Sequence, residues 1–116
     1  MLNDPAMLVQ IRPHKPRPKR ETDARHLAFV RTLPCCICHR PGFTEAHHLL
    51  RGVTRGMGLK SADRWALPLC DVHHAGLHAH GDETEFLALR GINGPALAAA
   101  LYSVSGDYQR AMEVLR

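Results

Sequence analysis

The stretch that decides the fold runs from Cys35 to His80. It opens with Cys35-Cys36-Ile37-Cys38 and passes through Glu45-Ala46-His47-His48-Leu49-Leu50. It ends on Leu69-Cys70-Asp71-Val72-His73-His74-Ala75-Gly76-Leu77-His78-Ala79-His80. All four cysteines of the chain lie in it, with seven of the nine histidines. Thiols and imidazoles at this density are ligands for soft and borderline metals, and there are enough of them for two sites of different character.

The first site reads as structural. Cys35-x-x-Cys38 and Cys70-x-x-His73 are two half-sites with 31 residues between them. Each sets two ligands on one turn, and together they form a closed Cys₃His set of the kind that holds structural Zn²⁺. Cys36 is the spare thiol. Two disulfides are the alternative use of four cysteines. Against it, the first residues lack the basic stretch and apolar run of a signal peptide, and no apolar run approaches membrane-spanning length. The expectation is a cytoplasmic protein with reduced thiols and no membrane partner, where this pairing of motifs reads as metal. A metal also suits the size of the protein. With 116 residues and 5% aromatics, the chain is one domain with a small core, and small cores often recruit a metal.

The second site reads as reactive. His74 and His78 are four apart on an expected helix, so both rings face one way and can share an ion. Two helix ligands leave that ion open, as catalytic metals are. His47 and His48 are neighbours on an expected strand, where side chains alternate between faces. A strand end or bend would let His47 serve as third ligand while His48 acts as a base. An ion there would stabilise charge on a scissile phosphate, with His48 taking the proton of the attacking water. Histidines suit Zn²⁺ or Mn²⁺, whereas Mg²⁺ prefers oxygens; the divalent ion is left open among the three. For His14, His26, His39 and His80 a purely structural role is the favoured reading.

Outward from this stretch, the charge is uneven. The net charge is +4. Residues 1–34 hold Arg12, Lys15, Arg17, Lys19, Arg20, Arg25 and Arg31 against Asp4, Glu21 and Asp23, and the remainder is balanced. Three prolines among Arg12–Arg20 favour an extended chain. Residues 1–21 therefore read as a basic arm suited to a polyanion, and residues 22–116 as the folded domain. Met7–Ile11 is either a short edge strand or a docked tail. Thr22 is a candidate cap for a helix over 23–33, stopped by Pro34. Strands are expected over 44–50 and 65–69. Between them, Gly52, Gly56 and Gly58 interleave with Arg51, Arg55 and Lys60, which is either a phosphate-contacting loop or an ordinary hairpin connection. A helix should run from Asp71 to His80 and stop at Gly81. Asp82-x-x-Glu85 is a capping box for a helix over 83–89. Helices over 96–104 and 107–115 follow. The fold class is small α+β.

With these residues placed, the chain resembles the HNH (ββα-metal) endonuclease superfamily, and within it the phage and prophage Ref-type recombination-enhancement nucleases. The resemblance rests on His47-His48-Leu49, Gly56-Met57-Gly58, Lys60, Asp63, Leu67-Pro68-Leu69-Cys70, His73-His74 and Leu77-His78, with Phe29–Cys35 upstream. It covers roughly residues 25–90. It implies a two-stranded hairpin and a helix around one catalytic metal, with a zinc knuckle alongside and flanking helices. It implies His48 as general base and His47, His74 and His78 as metal ligands. Products would carry 5′-phosphate and 3′-hydroxyl ends. The family's middle Asn falls on Trp65, five residues before Cys70; Asp63, two residues earlier, is the candidate substitute. DNA is the implied partner, and a RecA-type recombinase filament a further one, in a bacterial or phage-infected cell.

The expected function is thus metal-dependent hydrolysis of DNA phosphodiester bonds. Arg12, Lys15, Arg17, Lys19, Arg20, Arg51, Arg55 and Lys60 are the expected nucleic-acid contacts. The alternative is a non-catalytic, zinc-stabilised nucleic-acid-binding module, supported by the basic arm and the knuckle and consistent with the missing Asn. A zinc-stabilised protein-interaction domain is a third reading.

Overall fold

A computed structural model describes residues 20–54 and 60–116. The expected contacts Arg12, Lys15, Arg17, Lys19 and Arg55 lie outside the described residues, as does Met7–Ile11. The described residues form a small α+β structure of one two-stranded antiparallel sheet and several helices.

Helix α1 spans Ala24–Thr32. Its cap is Asp23 rather than Thr22: the Asp23 carboxylate accepts from the His26 N–H at 3.0 Å. Leu33 is extended and Pro34 follows, which ends the helix. The Cys35–Cys38 knuckle then turns back on itself, with the His39 N–H donating to Cys35 O at 2.8 Å. His39 takes a left-handed conformation at φ 61°.

Strand β1, Thr44–His48, pairs with β2, Ala66–Cys70, with Thr44 opposite Cys70 and His48 opposite Ala66. β1 stops two residues before the expected end because the Leu50 and Arg51 N–H groups turn to the Glu83 carboxylate, at 3.0–3.1 Å. β2 starts at Ala66 rather than Trp65, since Asp63–Trp65 coils into one turn of 3₁₀ helix. Every residue of β2 is buried. It therefore shows an unbroken apolar run rather than alternation, as strands covered on both sides do. Pro68 has no N–H to give, but its carbonyl accepts from Cys36 N at 2.9 Å. This bond straps the knuckle to the strand.

Helix α2, Asp71–His80, starts directly off β2. The Cys70 sulfur is its cap, accepting from His73 N at 3.4 Å. Gly81 closes it at φ 84°, a left-handed conformation that glycine adopts without a Cβ penalty. Helices α3 (Glu83–Ala88), α4 (Gly94–Ser103) and α5 (Tyr108–Leu115) follow, each capped by the side chain of Asp82, Asn93 or Asp107. α4 begins two residues before the expected start. A Cβ on Gly94 would sit 3.0–3.1 Å from Leu87 and Leu49 side-chain atoms, so glycine lets α4 close on α3 and on Leu49, the residue after β1.

The core is mostly leucine: Leu33, Leu49, Leu67, Leu69, Leu77, Leu87 and Leu101 are buried with Val30 and Phe86. α1 and α2 pack on both strands, α4 packs on β2, and α5 packs on α4. No described helix is long and apolar enough to cross a membrane.

Candidate functional site

The knuckle and the β2–α2 junction bring Cys35, Cys38, Cys70 and His73 together, with one ligand atom from each within 4.8 Å of the others. Cys38 Sγ lies 3.9 Å from Cys70 Sγ, and His73 Nδ1 lies 3.3 Å from Cys70 Sγ and 3.7 Å from Cys35 Sγ. Bonds of about 2.3 Å to sulfur and 2.0–2.1 Å to nitrogen require tetrahedron edges of about 3.5–3.8 Å. The four residues therefore fit a single tetrahedral metal ion. The Ile37 N–H points at Cys35 Sγ and the His73 N–H at Cys70 Sγ, each at 3.4 Å. Such donors favour thiolate, the ligand form. Cys36 stands apart. Burial, then the neighbouring Cys35 thiol, pushes its thiol up to about 12, which suits an inert core residue.

On the other side of α2, His47, His74 and His78 converge. His47 Nδ1 lies 3.2 Å from His74 Nε2, which lies 3.2 Å from His78 Nε2. A tetrahedral ion with bonds of 2.0–2.1 Å to nitrogen has edges of about 3.3 Å, so this triad also fits one ion and leaves a coordination position open. His73 and His74 are adjacent, but successive helix residues point about 100° apart, so one helix serves both clusters. Burial, followed by the neighbouring His47 and His78 rings, holds the His74 pKa below 6.5 despite Glu45. That favours the neutral imidazole a metal needs.

Two carboxylates stand behind the triad. Glu83 Oε1 accepts from His47 Nε2 at 2.6 Å, which leaves Nδ1 with its lone pair towards the other rings. Burial alone would raise the Glu83 pKa. The His47 hydrogen bond and the N–H groups of Arg51 and Leu50 instead hold it below the ordinary value. Glu45 lies 3.3 Å from His74 Nδ1 and orients that ring in the same way. Neither was among the expected site residues. Glu83 carries the sequence signature of a helix first turn, and only the tertiary fold brings it behind His47. Glu45 sits two residues before His47 on the same strand face, which was a signal open to sequence reading.

His48 points to the opposite face of β1. Its Nε2 lies 2.8 Å from Asp63 Oδ1. Asp63 is 2% exposed, and its other oxygen accepts from Asp23 N at 2.7 Å. Burial works against its charge, but Asp23 N–H, His48 and Arg20 together hold its pKa below the ordinary value. An ionised Asp63 takes the Nε2–H tautomer of His48 and leaves Nδ1 as the proton acceptor. Trp65, at the place of the expected Asn, is half-buried against the core.

Arg20 differs from expectation. The sequence places it in an arm over residues 1–21, but its Nη1 donates to Asp63 Oδ1 at 2.8 Å and Ser61 O at 3.2 Å. The same atom lies 3.2 Å from His48 Nε2. Glu21 pairs with Arg64 at 2.6 Å, and its carbonyl accepts from Asp63 N at 3.2 Å. The folded structure therefore begins by Arg20, two residues before the expected boundary. Arg51 and Lys60 are exposed, and neither side chain bonds a described residue.

Fold and site together define a small α+β protein with a Cys₃His cluster able to bind a metal ion and a three-histidine cluster beside it. Residues 5–99 match the family described as "Protein of unknown function (DUF968)", and the chain belongs to that family. It is also similar to the uncharacterized protein YdfU of Escherichia coli (strain K12), with 38% identity over 63 residues. Those residues make up 54% of this chain and 18% of that protein, so the match spans less than a fifth of the relative's length. No solved structure matches the chain.

Proposed function

We propose that this protein is a metal-dependent DNA endonuclease of the HNH (ββα-metal) type, with the Cys₃His cluster as its structural Zn²⁺ site. The observation that carries the reading is the convergence of His47 Nδ1, His74 Nε2 and His78 Nε2; His48, the next residue after His47, is held in one tautomer by Asp63. A divalent ion held by the three imidazoles would act as a Lewis acid on a phosphate oxygen and stabilise the departing oxygen. Three nitrogen ligands favour Zn²⁺ or Mn²⁺ over Mg²⁺.

The protein's own groups supply the rest. His48 Nδ1 accepts the proton of the attacking water. The positive charge that forms on its ring is balanced by Asp63 through Nε2. Asp63 thereby does the orienting work of the absent Asn. Glu83 and Glu45 fix the ligand tautomers from behind. Arg51 and Lys60 offer cations to the flanking phosphates, and the basic residues before Arg20 extend that contact. DNA carried on a RecA-type filament is a substrate to test beside naked DNA.

The test is nicking of supercoiled plasmid by wild type and His48→Ala with Zn²⁺, Mn²⁺ or Mg²⁺, on bare and RecA-coated DNA. Cutting by wild type is expected, with a loss of about 10²–10⁴-fold in the variant and unchanged DNA binding. DNA binding without cutting in every condition would instead favour the zinc-stabilised binding module, a reading that Trp65 at the Asn position supports. Equal cutting by both proteins would remove His48 from the role of base.

A further inference from the structure

Beyond the two clusters, a cleft of about 280 Å³ opens where the end of β1 meets α3 and α4. Its walls are aliphatic (Leu49, Leu87, Ile92 and Pro95), and Arg51 and Glu83 lie on its wall. The same Arg51 and Glu83 also line a hollow of about 350 Å³ that contains His78. One cleft therefore adjoins the three-histidine cluster across a shared wall bearing an exposed cation.

We infer that this cleft is the subsite for one unstacked nucleobase, whose neighbouring phosphate lies against Arg51 on the side of His78. The inference rests on the nucleic-acid reading above. Size supports it: the volume lies just below the range for drug-sized pockets, about 300–1,000 Å³, and suits one planar ring system rather than a helix or peptide. Charge supports it as well. The Arg51 guanidinium bonds no described residue, so it is available to a phosphate, while the Glu83 oxygens are taken up by His47 and two backbone N–H groups. The Asn93 carbonyl oxygen is likewise occupied, capping α4 through Ala96 N. With these acceptors taken and the walls mostly aliphatic, the cleft holds a base chiefly by its faces, and the Thr84 hydroxyl and the Asn93 side-chain N–H₂ are the polar groups left to its edges.

The experiment uses the full chain with zinc bound and His48→Ala to prevent cutting, followed by methyl NMR. The probes are an eight-nucleotide oligo-dT and an abasic oligomer with the same phosphates. Oligo-dT should shift the methyl signals of Leu49, Leu87 and Ile92 together with the Arg51 amide; the abasic oligomer should shift the amide alone. Ala88 is exposed at the cleft. Ala88→Trp should fill the mouth, abolish the methyl shifts and weaken oligo-dT binding about 5- to 30-fold, with abasic binding unchanged. Oligo-dT binding without methyl shifts would overturn the subsite and leave the nuclease reading standing. Equal methyl shifts with both probes would overturn it too, since the cleft would then respond to backbone. No binding of either probe would overturn both readings.

Discussion

Replacing Glu83 by alanine frees the His47 ring and strips the Leu50 and Arg51 N–H groups of their acceptor. Loss of such a partner behind a metal ligand lowers metal affinity by about 10–100-fold. Glu83→Gln keeps an oxygen for His47 Nε2–H and should lie between wild type and Glu83→Ala. Competition of each protein against a chromophoric chelator measures the affinity at the histidine triad. Equal affinities for all three would show that the Glu83 bond does not orient His47. Single residues were also the hardest level to read from sequence. The ligands stood out because spacing on one turn is local chemistry. Glu83 and Arg20 act through contacts 28 to 43 positions along the chain, and nothing in their immediate neighbours announces them; Glu45 had a local signal in its i, i+2 spacing from His47.

At the scale of elements, the knuckle and α2 depend on each other. Cys70→Ser should abolish the Cys₃His ion and with it a contribution on the order of 10 kcal/mol, as large as the stability of a small domain. Metal analysis and thermal melting check this; zinc retained with an unchanged melting curve would refute the ligand set. Helix α1 has a different anchor. His26 is fully buried, with Nδ1 2.7 Å from Ser105 Oγ and its ring edge-on to Tyr102 at 4.8 Å. Burial lowers its pKa below 6.5, against the pull of Asp23 and Asp63. The unfolded chain therefore gains a proton first as pH falls. The stability His26 contributes is complete above 6.5 and is lost as pH drops through the lowered folded value. Urea midpoints should fall more for wild type than for His26→Phe between pH 7.5 and 5.5; parallel curves would contradict this. Elements were legible wherever their signals were local. The span Asp71–His80 was readable because Gly81 ends it and the histidines repeat at helical spacing. The limits of β1 and α4 were not, because Glu83 ends the first and the fit of Gly94 against Leu49 and Leu87 sets the second.

For the molecule as a whole, the boundary at Arg20 predicts how truncation behaves. Removing residues 1–19 takes away basic residues that the fold does not need for its described contacts. On the nuclease reading, DNA affinity should fall and its salt dependence flatten through fewer released counterions, with the melting temperature unchanged. Removing residues 1–21 also takes Arg20 from Asp63 and Glu21 from Arg64. Asp63 then loses one of its charge partners, and the protein should be less stable by roughly 1–3 kcal/mol. Binding at several salt concentrations and urea melts of both truncations test this, and equal stability would place the boundary back at residue 21. The α+β class and the order of elements were readable because metal half-sites, caps and apolar runs follow one another along the chain. The start of the fold was not, because a run of Pro and Lys/Arg gives no sign that its last arginine pairs with a buried carboxylate.

His73 and His74 are consecutive residues on α2, one turned to each cluster. Adjacency of this kind imposes a chronology. On the nuclease reading, the closed Cys₃His set, whose Cys70 caps the start of α2, is the tighter trap and fills before the open triad. On the nuclease reading, a newly made chain in a zinc-starved cell stays dormant. A scavenger that takes the first ion disarms the second without touching it. The cell's zinc supply is then the latch on when this protein can attack DNA.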